Sequence, residues 1–181
     1  MNEFNRDNEW QKNIRDNVLG PYFYGIYSHK GRYVFVDKGR LAETLQKRFA
    51  VDTIVQGKDS AAICIEEKIV RWPGYQYKCA CLETHSCTNP GYESDGWMRY
   101  GKSDYLLYSF HQEDNSLISY LIDFPKLQSW FWNYEHKFDN FGPLKTVNKS
   151  MGKKVPISDI ENNIPTAKYH IKVPINYGVA V

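Results

Sequence analysis

The sequence contains no apolar run approaching 18 residues, so no segment is expected to cross a membrane as a helix. Its opening residues, Met1-Asn2-Glu3-Phe4-Asn5-Arg6-Asp7, are polar and carry no apolar h-region, so no signal peptide is expected. Cysteine is sparse, four residues in 181, and without a secretory route these are expected to be reduced thiols in a cytoplasmic protein. Internal repeats, heptads and low-complexity tracts are missing. An excess of either charge is missing as well, since 23 Lys and Arg face 21 Asp and Glu for a formal net charge of +2. That balance excludes a basic, tail-like nucleic-acid binder and an acidic solvating segment. What the chain does have is aromatic area. Its 14 Tyr, 9 Phe and 5 Trp supply ample large side chains for a core, and its length favours one domain.

Periodicity places the elements. Trp10, Ile14 and Val18 are four apart, which predicts a helix over 8–19 stopped by Gly20-Pro21. The aromatic and β-branched runs at 22–28 and 32–36 predict a hairpin turning at His29-Lys30-Gly31. A second helix is expected over 39–49, with Leu41, Leu45 and Phe49 on one stripe and Arg40, Glu43 and Lys47 opposite. Strands follow at 51–56, 61–71 and 77–87, divided by the turns Gly57-Lys58-Asp59-Ser60 and Trp72-Pro73-Gly74. After an Asn-, Pro- and Gly-rich loop (88–96) come strands at 104–111 and 117–123. Pro125 then opens a helix with Leu127, Trp130, Phe131, Tyr134 and Phe138 at helical spacing, an aromatic stripe that reads as core rather than as a base-stacking platform. The remainder holds a basic stretch (Lys145, Lys149, Lys153, Lys154), a short helix after Ser158 and a late strand at 168–173. This order predicts a mixed α/β domain.

The chemistry concentrates on two of these strands. Asp52 opens one, and Glu66-Glu67-Lys68 lies inside the next. Side chains alternate along a strand, so Glu66 and Lys68 share a face with Ala62 and Cys64 while Glu67 points the other way. Up to Ile65 the strand is small and apolar on both faces, which predicts a central, buried strand and makes the three charges at its end costly. Two carboxylates about 4 Å apart repel by roughly 4 kcal/mol at an effective dielectric near 20. A divalent cation turns that penalty into binding, and Lys68 offsets part of it in an empty site. The plainer reading is an edge strand whose charges guard against aggregation.

An Asp on one strand followed by Glu-x-Lys on the next resembles the PD-(D/E)XK nuclease superfamily, with Asp52, Glu66 and Lys68 at the three motif positions. Val51 stands where the motif's Pro would be. The element order from helix 39–49 through the strand at 104–111 is similar to the family's αβββαβ core, although the helix expected before that strand is weak. Gly101-Lys102-Ser103-Asp104-Tyr105-Leu106-Leu107-Tyr108 resembles the entry to the fourth core strand in phage- and restriction-type members. The resemblance covers about residues 39–135. It implies a restriction-endonuclease-like fold, with a core at about 39–138, an N-terminal helix and hairpin at 1–38, and a C-terminal extension at 139–181. It implies metal-dependent hydrolysis of DNA phosphodiester bonds, with Mg²⁺ (or Mn²⁺) held by Asp52, Glu66 and the main-chain carbonyl of Glu67. Lys68 would then position the nucleophile or stabilise developing charge. Glu43 is an outside candidate for a further metal ligand, although its helical position predicts a solvent-facing side chain, and Glu83 is another. Phosphate contacts are expected from Lys102, Arg40, Lys47, Arg48, Lys149, Lys153 and Lys154.

Two other motifs are weaker. Gly96-Trp97-Met98-Arg99-Tyr100-Gly101-Lys102-Ser103 fits the P-loop pattern, but a Pro/Gly loop precedes it and a strand-like run follows, where a P-loop needs strand and helix. Cys79, Cys81, His85 and Cys87 suggest zinc, yet on one strand they spread over about 27 Å, while zinc ligands must converge within about 2.3 Å of the ion. The partners expected are therefore DNA and, as an open alternative, a second copy in a homodimer, with no membrane and no nucleotide cofactor. The alternative function is a non-catalytic nucleic-acid-binding or inhibitory protein on the same fold.

Overall fold

The computed structural model describes residues 3–25, 32–36, 39–57, 61–71, 78–114, 116–143 and 149–172. The turns expected at 29–31, 58–60 and 72–74, together with Lys30, Lys38 and Lys145, lie outside these residues.

Helix α1 (Glu3–Ile14) runs directly into a π-helical stretch, Arg15–Tyr24, with Pro21 inside it. This corrects the predicted stop at Gly20-Pro21 and the first part, 22–25, of the strand predicted at 22–28, whose remainder lies outside the described residues. Proline lacks an N–H and its ring crowds the carbonyl four residues back, and a wider turn relieves both. Gly25 N–H closes that wider turn on the Gly20 carbonyl. The aromatic run that read as a strand buries Phe23 and Tyr24 from a helix instead. Strand β1 (Arg32–Phe35) pairs antiparallel with β2 (Thr53–Gln56).

Between them lies α2 (Gly39–Phe49), where its pattern predicts a helix. Its buried residue is Ala42, whereas Leu41 is 72% exposed and Phe49 is exposed as well, which corrects the expected stripe. The small Ala42 side chain sits in close packing with Val36 and Val51.

Strand β3 (Ala62–Val70) pairs antiparallel with β2 and parallel with β6 (Tyr105–His111), so it is central as expected. Burial along it runs opposite to expectation: Ala62 and Ile63 are exposed, while Ile65, Glu66 and Glu67 are buried. Strand β2 flanks β3 along Ala62–Ile65 and β6 along Ile65–Val70, while β4 (Cys79–Cys87) lies in a second sheet. That placement corrects the expected run of three adjacent strands. The main sheet has the order β1-β2-β3-β6-β7-β10, with β7 at Leu117–Asp123 and β10 at Thr166–Ile171. The second sheet, β5-β4-β9-β8, uses Ser94–Asp95, Met151–Pro156 and Asp139–Phe141 around β4. Thus residues of the expected C-terminal extension complete both sheets.

Helix α3 is a single turn, Trp97–Tyr100. Helix α4 (Phe124–Tyr134) is capped by Asp123, whose side chain accepts the Lys126 N–H. Helix α5 (Ile157–Asn163) begins at Ile157, just before the expected start. Together these elements make a mixed α+β protein in three layers. Trp10, Ile14, Val18, Leu19 and Phe23 pack on one face of the main sheet, against Val55, Ile65, Ile69 and Leu107. The second sheet, α4 and α5 cover the other face through Leu82, Val155, Leu127, Phe131 and Ile160. Among the described residues, no helix is long and apolar enough to cross a membrane.

Candidate active site

The site is built where β1, β2 and β3 come together. Asp52 stitches the three strands, because Val36 N–H donates to its carbonyl (2.8 Å) and its own N–H donates to the Ile65 carbonyl (2.9 Å). That leaves its carboxylate at the mouth of β2, where Oδ2 accepts the Glu67 main-chain N–H at 2.9 Å.

Alternation then splits the Glu-Glu-Lys run between the two layers, as the sequence predicts. On the side of the second sheet, Glu66 is 3% exposed, lies close enough to Asp52 to feel its charge and accepts an ion-paired hydrogen bond from Lys68. Lys68 Nζ also lies over the Trp97 ring, 5.2 Å from its centroid. Burial raises the Glu66 pKa to about 8, and the Asp52 charge adds to that against the opposing pull of Lys68. Burial works against the Lys68 ammonium, but the Glu66 and Asp52 carboxylates outweigh it and hold its pKa above the ordinary lysine value. Glu83 on β4 adds its charge to the Lys68 environment and accepts the Trp97 N–H, while burial raises its own pKa.

Glu67 faces α1 and its π-helical continuation. Its Oε1 accepts from the Tyr24 hydroxyl and from Thr53 Oγ1, each at 2.5 Å. Burial, followed by the Asp52 charge, raises its pKa to about 7. A cavity of about 410 Å³ opens on this side, lined by Lys12, Arg15, Gln46, Asp52 and Glu67.

No protein-family model, curated protein or solved structure matches this chain. The geometry therefore stands as its own witness. Asp52, Glu66 and Lys68 are brought together, with Glu83 beside Lys68. Glu43 is not: it is exposed on α2 and paired with Lys47 at 2.6 Å, because the close packing at Ala42 turns its face to solvent. Among the described residues, no group of three or more His, Cys, Asp and Glu side chains is arranged to hold a metal. Cys79, Cys81, His85 and Cys87 lie along one strand, and all four cysteines are free thiols. The P-loop-like run is a one-turn helix leading into a strand. Its Ser103 hydroxyl is buried and committed to the Ala50 carbonyl. Arg40, Lys47, Arg48, Lys102, Lys149 and Lys154 are exposed, and half-buried Lys153 reaches the Phe138 carbonyl at 3.4 Å.

Several residues around the site escape the sequence reading. Thr53 was within reach, since it pairs with Ile65 and so shares a face with Glu67, two residues on. Tyr24, Lys12 and Arg15 were not, because their place against the sheet depends on the π-helical passage through Pro21.

Proposed function

We propose that the protein is a metal-dependent nuclease that hydrolyses DNA phosphodiester bonds, using a restriction-endonuclease-like arrangement of β2, β3 and β6. The observation carrying this reading is the meeting of the Asp52 carboxylate, at the start of β2, with the Glu66 carboxylate and the Lys68 ammonium in the middle of the neighbouring β3. The parallel pairing of β3 with β6 is in keeping with it.

The donor set fits a hard divalent cation. Glu66 is buried within reach of the Asp52 charge, and Mg²⁺ is commonly held by one or two carboxylates with the remaining positions left to water and phosphate. Asp52 and Glu66, with the Glu67 main-chain carbonyl, would hold it. The ion's contribution is Lewis acidity and a bound water of lowered pKa. Lys68 keeps its proton and places a positive charge where charge develops on the phosphate. Exposed Arg40, Lys47, Arg48, Lys102, Lys149 and Lys154, with Lys153, supply phosphate contacts, and their modest number fits weak, salt-sensitive binding.

The test is incubation of the purified protein with duplex and single-stranded DNA in Mg²⁺, in Mn²⁺ and in EDTA. Cleavage in either metal and none in EDTA is expected. Glu66→Ala and Lys68→Ala should each abolish it with an unchanged circular dichroism spectrum, while Glu43→Ala leaves it at the wild-type rate. Cleavage that survives both site substitutions refutes the assignment. Retained DNA binding with no cleavage by the wild-type protein points to the non-catalytic alternative.

A further inference from the structure

The aromatic side chains at the C-terminal end of α4 and just beyond it divide between core and surface. Phe124, Leu127 and Phe131 are fully buried, but Trp130, Tyr134 and Phe138 form one wall of a cavity of about 460 Å³. That volume lies in the range of small-ligand sites. The Trp130 ring stands 6.0 Å from Tyr134 and 5.5 Å from Phe138, and Tyr134 is 40% exposed. Burying such a ring would be favourable, so its exposure beside two other aromatics provides a ready stacking surface.

The opposite wall is polar. Lys154 comes from β9, next to Asp139 of β8 in the sheet register, and Asp159 and Asn163 come from α5. Asn163 is held in place by donating to the Asp159 main-chain carbonyl at 2.7 Å. Lys137 sits at the aromatic side with its ammonium 4.5 Å from the Tyr134 ring centroid. The cavity thus combines a wall of aromatic rings, Trp130 tilted 48° to Tyr134 and 50° to Phe138, with carboxylates that accept hydrogen bonds and two ammonium groups.

We propose that this cavity binds a nucleotide whose base carries an exocyclic amine. The base stacks on the Tyr134 face away from the Lys137 ammonium and meets Trp130 at an angle, its amine donates to Asp159, and Lys137 and Lys154 take the phosphate. Carboxylates accept from amine-bearing base edges such as cytosine N4, whereas uracil presents a carbonyl oxygen at that position and meets the carboxylate with repulsion. The phosphate prefers the charge-assisted donors of lysine. The ligand is either a free nucleotide or an unpaired base of a strand, which share this chemistry. None of Asp52, Glu66 and Lys68 lines the cavity, so the site stands or falls separately from cleavage.

The experiment is calorimetric titration of the full-length protein with CMP, GMP and UMP, and with a short unpaired oligodeoxycytidine. Saturable binding of CMP and GMP, with UMP weaker, is expected. Tyr134→Ala should weaken CMP binding by about 5- to 100-fold and Tyr134→Phe should restore it. Asp159→Asn should erase the preference for CMP over UMP. Tighter binding of the oligonucleotide than of CMP assigns the site to a strand, and equal affinity assigns it to a free nucleotide. Absence of saturable binding by all four ligands at millimolar concentration overturns the proposal. So does binding that Tyr134→Ala leaves unchanged in a folded variant, or equal affinity for CMP and UMP.

Discussion

Replacing Glu66 with Gln should stabilise the protein in alkali and do little in acid. In the fold Glu66 titrates at about 8, against 4.5 ordinarily, chiefly because it is buried. The unfolded chain therefore releases this proton first. The stability attached to it is complete below pH 4.5 and is lost as pH rises toward 8. Over that interval, at about 1.4 kcal/mol per pH unit, the loss reaches roughly 5 kcal/mol. Whole domains have about 5–15 kcal/mol in hand, so the effect is readily measured. Glu67, titrating at about 7, adds to the decline below neutrality, while Lys68 stays charged throughout. Glutamine keeps an oxygen for Lys68 but has nothing to ionise. Urea unfolding at pH 5, 7 and 8.5 should show wild-type stability falling across the series, and the variant should lose little between pH 7 and 8.5. Added Mg²⁺ should stabilise the wild type at pH 8.5 and not at pH 5, since a cation displaces the Glu66 proton only where that proton is leaving. Wild-type stability that stays flat from pH 5 to 8.5, or a variant with the full wild-type slope, would refute this reasoning.

Two further substitutions test the supports of the site. Tyr24→Phe removes a hydroxyl donated to buried Glu67 and should cost about 1–3 kcal/mol in urea unfolding, more at pH 8.5 than at pH 5 because only the ionised carboxyl loses its full partner. Gly101→Ala would place a Cβ 2.6 Å from the Phe124 ring and 2.7 Å from the Trp97 carbonyl. A backbone carbonyl cannot step aside, so the melting temperature should fall by about 2–12 °C, corresponding to about 1–3 kcal/mol.

Much of this architecture was readable from local pattern. Helix 39–49, the strand through Glu66 and Lys68, the pair at 104–111 and 117–123, and the Pro125 helix all carry period or turn signals that the fold obeys. Alternation alone was enough to put Glu66 and Lys68 on one face and Glu67 on the other. What local pattern could not convey was distant pairing and competition for space. Nothing in residues 77–87 says that β4 finds its partners in β5 and, far along the chain, in β9, so its departure from β3 was invisible. Pro21 carries a strong stop signal, and only the packing of Phe23 and Tyr24 against the main sheet overrides it by widening the helix. The exposed Leu41 is a similar case, because a helix wheel ranks residues by apolarity while a tight interface selects the small Ala42.

The pairing of β4 with β9 bears on how the chain assembles during synthesis. Strand β4 ends at Cys87 and its partner begins only at Met151. At about 5–20 residues per second, a ribosome leaves β4 waiting roughly 3–13 s for that partner. Strand β7 likewise waits for β10, which begins at Thr166. During this interval both sheets present open edges, the condition under which neighbouring nascent chains pair with one another. The contacts that close the fold are long in sequence, so slow folding and a need for chaperone shelter on polysomes follow from the topology itself.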